Sequence, residues 1–118
     1  MCVETNIMSS AIAQKVFRTP LARSCAQAIY RGFQESCDIS EATIDSAIAY
    51  GGGRASGGTC GALYAALSLA PENCRQEMRQ RFAEVAGDSC CRPIRQINQL
   101  DCPGCVALAA DLLEEYLT

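Results

Sequence analysis

The sequence predicts an all-α fold, a compact single-domain bundle of five to seven helices spanning residues 1–118. Three observations predict it. Apolar residues recur at spacings of three and four along most of the chain, as one-faced helices require. Alanine is abundant, and no alternation of apolar and polar residues lasts more than a few positions. Helix start and stop signals fall between the periodic segments. A chain of 118 residues with 49% hydrophobic composition is also long enough to bury its own core.

Each element has its own warrant. The first helix is predicted over Asn6 to Arg18, with Ile7, Met8, Ala11, Ile12 and Val16 inward. Thr19-Pro20 restarts the chain, because Thr caps well and Pro suits a first helical position. The second helix runs from Pro20 to Glu35, with Leu21, Cys25, Ala28, Ile29 and Phe33 on one face. Ser40 opens a third, with Glu41 in its first turn, Ile44, Ala47 and Ile48 inward, and an end at Tyr50. A glycine-dense loop, Gly51 to Gly58, follows. Thr59 caps a fourth helix, Cys60 to Leu69. Pro71 opens a fifth, with Met78, Phe82 and Val85 inward, and Gly87 stops it. Asp88 or Ser89 caps a short sixth through Cys90, Cys91 and Ile94, where Pro93 is tolerated in the first turn. Asp101 caps the last, with Cys105, Ala109, Leu112, Leu113 and Tyr116 inward.

Composition removes several function classes. A net charge of −3 and a pI near 4.9 make a poor partner for nucleic acid or an anionic membrane surface. No apolar run is long enough for membrane insertion. Histidine is absent, which excludes Ser–His–Asp and Cys–His nucleophilic sites, imidazole zinc sites and C-x-x-C-H haem attachment. Met1 to Phe17 reads MCVETNIMSSAIAQKVF, without the unbroken apolar core of a secretory signal. The expectation is a cytoplasmic protein with mostly reduced thiols. An oxidised mature chain cut from a longer precursor is the alternative.

Nine cysteines stand against about two expected from average usage. A disulfide scaffold, a metal or iron–sulfur site and redox chemistry compete to explain them. The odd count and the helix-forming composition weigh against the scaffold. Cys60 begins a helix after a glycine-rich turn, Cys90 and Cys91 begin another, and Cys102 and Cys105 lie in the first turn of the last. Unpaired amides and the positive end of the helix dipole favour thiolate over thiol at such positions. Cys25 differs, lying mid-helix on an apolar face from which it reaches the site sideways. Cys2, Cys37 and Cys74 read as space-filling thiols. Cys102-Pro103-Gly104-Cys105 is a C-x-x-C at a helix start, without the βαβ context of a thioredoxin fold and without a second C-x-x-C to complete a zinc ribbon. The Gly51–Thr59 loop lacks a phosphate-loop ending, so its glycines read as allowing close backbone approach or placing Cys60 at a sharp turn. Arg54 reads as a solvated loop residue rather than a positive charge beside Cys60.

Several segments in order resemble a known family. Ser24-Cys25-Ala26-Gln27-Ala28-Ile29, Gly51-Gly52-Gly53, Gly58-Thr59-Cys60-Gly61-Ala62-Leu63, Gly87-Asp88-Ser89-Cys90 and Cys105-Val106-Ala107-Leu108-Ala109-Ala110 resemble the C_GCAxxG_C_C family of redox-active proteins, found in bacteria and archaea. The likeness spans about residues 12–117. It implies an all-helical domain with four signature cysteines, Cys25, Cys60, Cys90 and Cys105. The chain departs at Ala65, where the motif wants glycine, and adds Cys91 and Cys102 beside two signature positions. Which thiol of each of those pairs takes part is open.

The leading expectation is a thiol-based redox protein for dithiol/disulfide exchange or electron transfer, a candidate thiol-disulfide oxidoreductase, in which Cys25, Cys60, Cys90 and Cys105 converge. Cys60 attacks a disulfide of a partner protein or small thiol, and Cys90 or Cys105 resolves the mixed disulfide; no cofactor is required. In the second reading the same four cysteines hold an iron–sulfur cluster or zinc. In the third, disulfides staple a helical interaction module.

Overall fold

The computed structural model describes residues 9–50 and 55–117. Among them lie eight α-helices and no strands: α1 (Ser9–Val16), α2 (Cys25–Gly32), α3 (Gln34–Cys37), α4 (Glu41–Ser46), α5 (Gly61–Leu69), α6 (Arg75–Ala86), α7 (Cys91–Ile97) and α8 (Cys102–Leu117). Short 3₁₀ turns cover Ala47–Tyr50, Ser56–Gly58 and Glu72–Cys74. The all-α class therefore holds, while the count exceeds the five to seven expected.

The excess comes mainly from the predicted second helix. It begins at Cys25 rather than Pro20, because a capping box sets its start. Ser24 Oγ accepts from the Gln27 amide at 3.1 Å, and Gln27 Oε1 accepts from the Ser24 amide at 3.1 Å. Before it, Arg18 takes a left-handed conformation (φ 66°) and turns the chain, with its N–H donating to Ala22 O at 2.8 Å. Leu21 is stranded on that turn and is 55% exposed instead of inward. At Phe33 the backbone leaves helical geometry, so Gln34–Cys37 forms a separate turn that ends at left-handed Asp38.

Other boundaries follow their local signals. Ser40 caps α4 through the Thr43 amide, and Gly87 closes α6 at φ 95°. Asp101 Oδ1 accepts from the Gly104 amide at 2.8 Å at the start of α8. Ile48, expected inward, is 46% exposed, because the 3₁₀ turn rotates it off the face of α4. Val85 is 50% exposed, since Met78, Phe82 and Ala86 form the buried row of α6 at spacings of four. The predicted start of the first helix, Asn6–Met8, and Gly51–Arg54 of the loop lie outside the described residues.

α2 and α8 organise the core: α2 packs on α1, α5 and α8, while α8 packs on α1, α2, α5 and α6. Phe33, Phe82, Ile29, Ile44, Leu63, Met78 and Leu113 are its large fully buried side chains. Fully buried alanines such as Ala26, Ala28, Ala62, Ala66 and Ala109 fill the seams between helices and allow close approach. Gly32 carries this furthest, since a Cβ there would come within 2.6 Å of Ser9 O on α1. Gln27 Nε2 donates to Ile44 O at 3.1 Å and Ser24 Oγ to Ala47 O at 3.3 Å, which ties the start of α2 to α4 and the turn after it.

Candidate functional site

The close packing of α2 against the start of α5 determines where sulfur sits. Cys25 is the first residue of α2, and Cys60 is the N-cap of α5. Gly61 separates them. A Cβ at Gly61 would lie 2.7 Å from Cys25 Sγ and 2.8 Å from Tyr50 O. Only glycine lets the Cys25 thiol come this close to the α5 start. The start of α5 is also tied to that of α7, because the Cys60 amide donates to Ser89 O at 2.8 Å and Thr59 bridges Cys90. Cys105 enters from the first turn of α8 and is 3% exposed; Cys60 is 5% exposed.

These three sulfurs form one interacting group. The Cys105 and Cys25 side chains both favour ionisation of Cys60. With help from the amides of Leu63 and Ala62, they hold the Cys60 thiol at about 3, against the opposing effect of burial. Those amides face the sulfur without closing a side-chain cap of ordinary hydrogen-bond geometry. The two neighbours move the other way. Cys25 and Cys105 are pushed well above the ordinary thiol range by the neighbouring Cys60 sulfur and by burial. Ionisation in the cluster is thus favoured at Cys60 and disfavoured at its two neighbours.

The cluster opens into a cavity of about 350 Å³, lined by Cys25, Cys60, Cys91, Cys102 and Cys105 together with Arg18 and Arg95. Cys91 and Cys102 are the first residues of α7 and α8, so the starts of α2, α5, α7 and α8 border one space. Burial raises the Cys91 thiol, opposed by the Arg95 charge one turn along α7. Arg95 also shares the cavity wall with the half-buried Cys102, which helps to raise its guanidinium.

Of the four cysteines singled out in the sequence, Cys25, Cys60 and Cys105 meet and Cys90 does not. Cys90 caps α7 in extended backbone (φ −99°, ψ 143°), where successive side chains point to opposite sides. Its Sγ donates to Gly57 O at 3.5 Å and lines a separate recess with Gly58, Arg92 and Pro93. Cys91 faces the cavity instead. Cys25, expected mid-helix, stands at a helix start. The signal for that was Ser24-Cys25-Ala26-Gln27, a capping box beside the stronger-looking Thr19-Pro20. Arg95 was legible as the residue four beyond Cys91 on a helix. Arg18 was not, because its place depends on a left-handed turn. Ala65, where the motif wants glycine, is fully buried, and its methyl group packs in the core. Cys74 lies away from the cavity beside Asn73, and Cys37 is disulfide-bonded. Arg54 lies outside the described residues.

Among the described residues, no three Cys, Asp or Glu side chains are disposed to hold a metal ion. The four-thiolate set of Cys25, Cys60, Cys90 and Cys105 does not assemble, since Cys90 faces another way. No helix among the described residues is long and apolar enough to cross a membrane.

A family model described as "Putative redox-active protein (C_GCAxxG_C_C)" matches residues 23–116. No curated protein and no solved structure matches the chain.

Proposed function

The chain belongs to the C_GCAxxG_C_C family of redox-active proteins, and on that premise we propose that it exchanges dithiol for disulfide at the Cys25–Cys60–Cys105 cluster. The observation that carries this reading is the meeting of Cys25, Cys60 and Cys105 at one cavity, with Cys60 buried at the start of α5 and its thiol lowered by the other two. A thiolate is the attacking species in exchange, and a neighbouring thiol is what releases a mixed disulfide.

In the proposed sequence the Cys60 thiolate attacks one sulfur of a substrate disulfide. A Cys60–substrate bond forms, the substrate S–S bond breaks, and one substrate thiolate leaves. Loss of the Cys60 charge removes the main cause of the raised Cys105 thiol. The leaving thiolate takes the Cys105 proton. Cys105 then attacks Cys60 Sγ, forms the Cys60–Cys105 disulfide and expels the second substrate thiolate. Two electrons pass from protein to substrate, and a dithiol reductant returns the protein to its starting form. Cys25 supports the Cys60 anion and is the second potential resolving thiol.

The test is oxidation of the reduced chain with a small disulfide, followed by mass-spectrometric mapping and measurement of the reduction potential. The expected product is a disulfide from Cys60 to Cys105 or Cys25, reducible near the thioredoxin value of about −270 mV. A Cys60 that stays reduced while other pairs oxidise would overturn the proposal. So would stoichiometric iron or zinc bound by these thiols in anaerobically isolated protein.

A further inference from the structure

Cys60 is only 5% exposed and is reached through a cavity of about 350 Å³. That is the size of a small-molecule site, and a sulfur this buried is a poor target for a disulfide held in a folded protein surface. The cavity carries two guanidinium groups, Arg18 and Arg95, in a chain whose net charge is −3. Neither has a carboxylate partner among the described residues. Arg18 lies over the Phe17 ring at 5.1 Å, and Arg95 shares the cavity wall with Cys91 and Cys102. Asp101 is the one acid on the lining, and its Oδ1 already accepts from the Gly104 amide.

We propose that this cavity takes a low-molecular-weight disulfide bearing carboxylates, which Arg18 and Arg95 hold while its sulfur meets Cys60. The inference rests on the thiol-exchange reading and narrows it from any disulfide partner to one chemical class. The step is the exchange written above: the substrate disulfide is the oxidant, it leaves as two thiols, and a dithiol reductant restores the protein. Without the arginines, an anionic substrate would be the slowest to react, because it approaches a thiolate on an acidic chain. A reversed order is therefore a specific signature of the arginines.

The test uses the reduced full chain at low salt and three small disulfides of similar size: dithiodipropionate (anionic), hydroxyethyl disulfide (neutral) and cystamine (cationic). Insulin supplies a disulfide held in a folded protein. Expected is the order anionic, then neutral, then cationic, with insulin slowest of all. The ratio of anionic to neutral rates should fall about tenfold in the Arg18→Gln/Arg95→Gln double variant and by a smaller factor in Arg18→Gln alone. Added salt should erode the same ratio. Neutral or cationic disulfides reacting as fast as the anionic one, or insulin reacting as fast as any, overturns the inference and leaves thiol exchange standing. Failure of all four to oxidise Cys60 overturns both.

Discussion

The Cys60 side chain owes its charge to its neighbours. The Cys105 thiol is the strongest influence, the Cys25 thiol the next, and both outweigh the cost of burying the anion. Replacing Cys60 with serine should abolish exchange with small disulfides and leave the far-ultraviolet helical signal intact. Cys90→Ser should keep the exchange rate, because its sulfur faces Gly57 and not the cavity. The same charge ties stability to pH. The folded Cys60 thiol ionises near 3 against an ordinary value of 9.0, so its contribution is complete above about pH 9 and is lost as pH falls toward 3. Cys25 and Cys105 have raised values, so their contributions are complete below pH 9 and are lost only as pH rises beyond it. Denaturant melts from pH 8 to pH 5 should therefore show a steeper acid decline in the native chain than in Cys60→Ser. The place of Cys60 at a helix start was legible from Gly58-Thr59-Cys60-Gly61. The choice of Cys91 over Cys90 was not, because adjacent cysteines differ only in backbone direction, which the Thr59 pairing sets.

At the level of elements, helix starts matter more than helix faces. Four of them border the cavity, and the joint between α2 and α5 brings the sulfurs into contact. Gly61→Ala forces a methyl group against both Cys25 Sγ and the Tyr50 carbonyl. It should cost about 1–3 kcal/mol by urea denaturation and push the Cys25 sulfur away from the α5 start. Gly32→Ala is the control: it meets α1 and not the cluster, so it should destabilise the chain without changing the Cys60 titration. Ser24→Ala removes the α2 cap and should cost about 1 kcal/mol. The stop at Gly87 and the starts at Ser40 and Asp101 were readable, because single side chains or a left-handed glycine fix them. The start of α2 was misplaced because two capping signals lie five residues apart. Only the turn at Arg18 decides between them, and it depends on the contact with Ala22.

At the scale of the whole molecule, alanine seams bring α1, α2, α5 and α8 together, and the sulfur cluster sits where the starts of α2, α5 and α8 meet. Periodicity revealed the class and most core positions. It could not reveal which helix ends share a space, because that follows from packing between segments far apart in the chain. The most direct measurement of the central claim is an acid–base titration of the ultraviolet thiolate band of the reduced protein, native and Cys60→Ser. The account predicts one thiolate per chain at neutral pH, persisting down to about pH 4, protonating near 3 and missing from the variant. A native chain with no thiolate band until the pH approaches 9 would contradict it.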